Sequence, residues 1–166
     1  QWDLLMVGNS RRHLGWFLAL ADRHEEAISE YRVALEVLSS HLGPEHYVVA
    51  LAEAGLAASL ASIGRVGEAE SVSSHAMAIA RNSKNVVGDQ MAQIAFGRGK
   101  ALLAQERWPE AREALTEAWT QFYRCTAPTF PWRIATAEGL AACAEHLGDP
   151  AEAATWREQA RPAAAK

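Results

Sequence analysis

The chain has 166 residues, a net charge of −4 and no block of Lys or Arg, so it has room for one domain with a core and nothing that suits it to nucleic acid or an anionic membrane surface. No apolar run reaches the ~18–20 residues needed to cross a bilayer, and no signal peptide is visible. Cys125 and Cys143 do not form a C-x-x-C metal or redox site; they are expected to be reduced packing residues of a cytoplasmic protein. The 13 Arg against 3 Lys, beside 34 Ala, fit a GC-rich bacterial genome. A start at Gln1 suggests a fragment of a longer chain, and Pro162 with the residues after it would suit a C-terminus.

Apolar residues fall at helical spacing and no stretch sustains strand alternation. Leu14, Phe17 and Leu18 predict a helix over 3–21, ended at Ala21-Asp22-Arg23. Ala27, Tyr31, Ala34, Leu35 and Leu38 predict a second over 25–41, closed by Leu42-Gly43-Pro44. A third, 46–63, stops at Gly64-Arg65, and a fourth, 67–82, at Asn82-Ser83. The fifth and sixth are predicted over 86–105 and 109–124, with Pro109 suited to a helix start. The Pro128–Pro131 stretch precedes a seventh at 131–147, and Gly148-Asp149-Pro150 separates it from an eighth at 150–161.

These helices carry a repeat. Glu26-Ala27, Glu68-Ala69, Glu110-Ala111 and Glu152-Ala153 stand 42 residues apart. In the same register lie the small residues Gly15, Ala57, Gly99 and Ala141, and the alanines Ala34, Ala76, Ala118 and Ala160. Small side chains there let helix backbones approach closely. The glutamate falls in the first turn of each second helix, where its charge complements the helix dipole. The pair is therefore architectural and not catalytic.

These columns resemble the tetratricopeptide repeat. The first copy shows Leu14-Gly15, Glu26-Ala27, Tyr31 and Ala34-Leu35, and the third Gly99, Arg107-Trp108-Pro109-Glu110-Ala111 and Ala118. The 42-residue period, with the linker Leu42-Gly43-Pro44-Glu45-His46, looks like the kinesin-light-chain-type variant. The resemblance implies an all-α, right-handed superhelical solenoid of four hairpins: one domain over 1–166, with repeats near 8–41, 50–83, 92–125 and 134–161. It also implies protein–protein interaction without catalysis. Where that variant commonly carries a peptide-clamping Asn, this chain has His13, Gly55, Gly97 and Gly139. The basic clamp that some repeat proteins close on a carboxylate tail is not matched either, since only Arg12 and Lys100 are basic among its groove positions. Arg98 and Ser73 replace larger apolar residues of other copies, so the second and third hairpins are expected to pack loosely there.

Candidates for chemistry are weak. Phe96-Gly97-Arg98-Gly99-Lys100-Ala101 lacks the upstream glycine, the Ser/Thr and the strand of a phosphate loop. His41 and His46 have no third ligand nearby, so neither a metal nor a cofactor is expected. Glu138, Glu145 and His146 share a helix without an evident cleft, and are the least poor enzymatic option in a chain read as a non-enzyme.

The resemblance places the first helices of the hairpins on the concave face. The groove residues so implied are Asn9, Arg12, His13 and Trp16 from the first hairpin and Leu51 from the second. Gln93, Phe96 and Lys100 follow from the third, then Glu138, Glu145 and His146 from the fourth. Such a groove is basic and aromatic at one end, bare in its middle and acidic at the other. Of Trp108, Trp119, Phe122, Tyr123, Phe130 and Trp132, most are expected to fill the seam between the third and fourth hairpins; Phe130 and Trp132, flanking Pro131 in a loop, are the two expected to be exposed and form a candidate aromatic hot spot. The expected partner is a protein, a peptide or another domain of the same chain, in the setting of a bacterial multidomain signalling or regulatory protein. The alternative is packing or self-association through an apolar flank at residues 1–20.

Overall fold

The computed structural model describes residues 2–161. The chain forms α1 (Trp2–Leu20), α2 (His24–Leu42), α3 (Tyr47–Ser62), α4 (Val66–Asn82), α5 (Asp89–Leu103), α6 (Trp108–Cys125), α7 (Pro131–His146) and α8 (Pro150–Ala160). Consecutive helices pair into four antiparallel hairpins stacked as an α-solenoid, with no strand among the described residues. The expected helices are all present. The fifth differs most, because Gly88, at φ +52°, turns the chain into α5 only at Asp89, while Val86 turns inward to the core.

The hairpin turns repeat as faithfully as the alanines. Asp22, Gly64, Glu106 and Gly148 are left-handed, with φ between +58° and +83°. After each, a backbone N–H reaches five residues back: Arg23 to Leu18, Arg65 to Leu60, Arg107 to Leu102 and Asp149 to Ala144, at 2.8–3.1 Å. These bonds close the helix C-terminus as in a Schellman motif. The next helix then opens on an arginine whose side chain grips the repeat glutamate. Arg23 Nε donates to Glu26 Oε1 at 2.6 Å, Arg65 Nε to Glu68 Oε1 at 2.6 Å, and Arg107 Nε to Glu110 Oε1 at 2.7 Å. In the fourth turn Asp149 Oδ1 instead accepts from the Glu152 N–H at 2.9 Å. The glutamate is thus a partner in a turn-spanning ion pair as well as a dipole complement.

Inside each hairpin Ala27, Ala69, Ala111 and Ala153 are fully buried. Ala34, Ala76 and Ala118 are equally enclosed and Ala160 is half-buried. Between hairpins the closest approach is α3 on α5. A Cβ on Gly97 would lie 2.5 Å from the Ala54 carbonyl oxygen, so only glycine fits. At Gly55 the same column receives the Tyr31 phenol, which a Cβ would meet at 2.3–2.5 Å. Of the positions that hold a peptide-clamping Asn in the resembled family, Gly55, Gly97 and Gly139 are here consumed by packing, and His13 is not. Gly97 of the phosphate-loop look-alike thus belongs to a helix-packing seam.

The expectation of loose packing at Ser73 and Arg98 does not hold. Arg98 Nη1 donates to Glu70 Oε2 at 2.5 Å, Ser73 Oγ at 3.1 Å and Ser74 Oγ at 3.0 Å. Gln105 Nε2 and Arg107 Nη1 complete the carboxylate at 2.6 and 3.2 Å. A polar network joining α4, α5 and the start of α6 thus fills the space that larger apolar side chains occupy elsewhere. Burial works against the Glu70 charge, but the bonds from Arg98 and Gln105 and the two guanidiniums outweigh it and bring its pKa down to about 2.

Candidate functional site

The inner helices α1, α3, α5 and α7 curl so tightly that the first hairpin meets the fourth. The meeting point is Trp132, in the first turn of α7 behind Phe130 at its N-cap and Pro131 at N1. The Trp132 ring stacks on Phe96 at 5.5 Å and sets its edge against Trp16 at 5.9 Å. Phe130 lies 6.4 Å from Trp16 and 5.6 Å from the buried Phe122. Arg133 holds this loop from behind. It is 7% exposed, its Nη1 donates to the Thr126 carbonyl at 3.1 Å, and its guanidinium lies over the Tyr123 and Trp119 rings at 4.5 and 5.1 Å.

Phe130 and Trp132 are therefore half-buried inside the superhelix, against the expectation that they stand exposed on a loop. The reason is tertiary: the curl brings α1 and α5 around them. Among the described residues, the large aromatics that stand exposed are Phe17 and Tyr123.

Trp132 splits the groove into two pockets. The first, about 240 Å³, is lined by Arg12, His13, Trp16, Tyr31, Leu51, Asp89, Gln90, Gln93, Phe130 and Trp132. The second, about 210 Å³, lies between Ala58, Ser59, His24, Phe96, Lys100 and the other face of Trp132. Desolvation lowers the Lys100 ammonium pKa, opposed by Glu138 across the groove. The His24 Nδ1 and Ser59 Oγ are buried without a partner among the described residues.

Of the groove residues implied by the sequence, Arg12, His13, Trp16, Leu51 and Gln93 converge on the first pocket, joined by Phe130 and Trp132. Phe96 and Lys100 line the second, with Glu138 near Lys100. Asn9 is turned back on its own helix, donating from Nδ2 to the Leu5 carbonyl at 3.1 Å. Glu145 is paired with Arg157 of α8, and His146 stacks on Trp108 at 3.8 Å. Glu138 and Glu145 border one open surface pocket with Arg157, while His146 is stacked on Trp108 and is not in its lining. The histidines of the first linker have polar duties as well. His46 Nδ1 accepts from the Val48 N–H at 3.2 Å as the cap of α3, and His41 Nδ1 lies 2.9 Å from the Val37 carbonyl oxygen.

Sequence reasoning missed Tyr31, Asp89 and Gln90 as lining and Arg133 as the support of the loop. Part of this was available in the register. Trp132 stands 42 residues after Gln90, and both line the first pocket.

Comparison with known proteins finds the same architecture. No family model and no curated protein matches the chain. Among solved structures, a variant of the nearly identical TPR-like repeats of a Podosopora anserina protein assigned to the kinesin light chains is similar over 92% of this chain and 72% of its own, at 22% identity and a TM-score of 0.67. BtubC (BKLC) from P. vanneervenii matches over 92% of this chain and 61% of its own, at 16% identity and a TM-score of 0.67. MamA from Desulfovibrio magneticus RS-1 matches over 92% of this chain and 73% of its own, at 18% identity and a TM-score of 0.57. At these identities the likeness is one of fold. In fold, the chain is a tetratricopeptide-like repeat solenoid of the kinesin-light-chain-like kind.

Proposed function

We propose that the chain is a protein-interaction module that holds a segment of a partner on its concave face, centred on the first pocket. One observation carries this reading: Arg12, His13, Trp16, Gln90 and Gln93 are brought together from α1 and α5 around an open pocket with an aromatic wall. A few polar groups converging in a concave, largely aromatic setting are what a specific binding site requires. Because Trp132 bridges the groove, the reading favours a short insertion into the pocket over a long peptide threaded along the whole superhelix. The setting proposed is a bacterial multidomain regulatory protein in the cytoplasm, without catalysis by this module.

The test is affinity capture from source cells with the wild-type chain and with Arg12→Glu and Gln93→Lys variants, both at half-buried pocket positions. Phe96 is left intact because it is 5% exposed and part of the core. A protein captured by the wild type and lost by both folded variants is the expected result. Identical capture by all three would remove the groove from consideration.

A second reading has its own observation. Leu4, Met6, Val7, Leu14, Phe17 and Leu20 of α1 are 40–66% exposed. An apolar face of this extent suits packing against another hairpin or another copy. A single monomeric mass at all concentrations would count against self-association.

A further inference from the structure

Arg12 is a cation without a counter-ion among the described residues. It is half-buried, burial depresses its pKa, and the acidic groups acting on it are only the phenols of Tyr31 and Tyr47. Among the described residues its one polar partner is His13, whose Nε2 accepts from Nη2 at 2.8 Å. That bond needs a neutral imidazole acceptor, and desolvation together with Arg12 lowers the His13 pKa accordingly. The Arg12 Nε is buried with no partner among the described residues. The other enclosed arginines are compensated: Arg98 by Glu70, and Arg133 by the Thr126 carbonyl and two aromatic faces. An enclosed charge left unpaired is costly, so the missing partner has to be sought in the space the charge faces.

That space has a second donor of the same kind. Trp16, one helical turn after Arg12 and on the same face of α1, lines the same pocket, and its Nε1–H is buried beside it without a partner among the described residues. Gln90 and Gln93 add amides from α5, and the walls are the rings of Tyr31, Phe130 and Trp132. The charges define the guest further. One guanidinium is positive, His13 is neutral, and the exposed carboxylate of Asp89 also borders the pocket. Arg12 is the one cation of the lining and Asp89 brings a carboxylate to its border, so a dianion is disfavoured.

We infer that the first pocket holds a carboxylate attached to a flat apolar group, with the Arg12 guanidinium as its counter-ion and the Trp16 indole N–H as its second donor. The inference rests on the groove reading above and names the chemistry that the groove selects. The carboxylate has two possible sources, a free small organic acid or an acidic residue beside an aromatic one on a partner protein.

The whole chain is titrated with benzoate, with its neutral isostere benzamide, with inorganic phosphate and with an acetylated, amidated Phe-Glu-Phe tripeptide. The Trp16 indole N–H resonance is followed by NMR. Benzoate is expected to bind at least about tenfold more tightly than benzamide and to move that resonance downfield, with phosphate unable to displace it. Arg12→Met is expected to abolish the preference for the anion. It is also expected to raise the melting temperature of the unliganded chain, because it removes an uncompensated charge while keeping an apolar stem. Equal binding of benzoate and benzamide, or a lower melting temperature for folded Arg12→Met, would overturn the inference. Displacement of benzoate by the tripeptide assigns the carboxylate to a partner protein; tighter binding of benzoate assigns it to a small acid. A partner captured equally by wild type and Arg12→Met but lost by Gln93→Lys would sink the carboxylate site and leave the groove reading standing. An anion preference without any groove-dependent partner would do the reverse.

Discussion

Glu70 illustrates how a single side chain decides a seam. Its carboxylate takes Arg98, Gln105 and Arg107 from two other segments, and its pKa falls to about 2 from an ordinary 4.5. A carboxylate depressed in the folded state contributes stability above its unfolded pKa and loses it as the pH falls through the folded one. The contribution is therefore complete above about pH 5 and gone near pH 2, on the order of 2–3 kcal/mol. Glu70→Gln should lower stability to denaturant at pH 7 by about that amount, since it also strands two guanidiniums. The gap from wild type should close as the pH is taken toward 2, and a gap constant with pH would show the residue to be a packing element alone. Ser73 and Arg98 read as a packing defect in sequence because their shared partner lies on neither of their own repeat columns.

At the scale of the element, the hairpin turn is the repeated unit of construction. Left-handed Asp22, Gly64, Glu106 and Gly148 precede an arginine in three copies and an aspartate in the fourth. Gly accepts that conformation without cost and Asp tolerates it, whereas Glu has no such allowance. Glu106→Gly should therefore stabilise the protein by about 1 kcal/mol, seen as a higher urea midpoint with an unchanged slope. Destabilisation would mean that the Glu106 side chain is engaged in holding the turn. The glutamate of each Glu-Ala pair belongs to the same unit. Its place in the first helical turn is readable from the chain, but its partner arginine three residues earlier became evident only when the left-handed turn aimed one at the other.

Across the whole molecule, the two ends differ. The α1 stripe containing Val7, Leu14 and Phe17 is exposed, although its equivalents one period later, Val49, Leu56 and Ser59, are 0–5% exposed beneath the preceding hairpin. On α8 the register equivalents of Tyr31 and Leu35 are Arg157 and Arg161, both exposed. The apolar end is the one that asks for a cover, and the polar end resembles a cap. If copies of the chain supply that cover, sedimentation should show mass rising with concentration. Phe17→Glu should then restore a monomer with unchanged helix content, and a monomeric wild type would leave a different hairpin as the occupant.

Helix positions, the four-hairpin architecture and the buried alanine columns were determined by the sequence alone, because they arise from local spacing: apolar residues at helical period, breakers at turns, and small residues every 42 positions. The site was legible only in part. Arg12, His13, Trp16, Leu51 and Gln93 could be assigned to the concave face by register, since that face is fixed by the repeat. What they do together was decided by curvature. The curl that places Trp132 between Phe96 and Trp16 sums small inclinations over three hairpin seams, set by contacts such as Gly97 on Ala54 and Tyr31 on Gly55. No local pattern encodes that sum. It turned an expected exposed hot spot into a groove wall, and it set Arg12 at the edge of a pocket shared with α5 and α7.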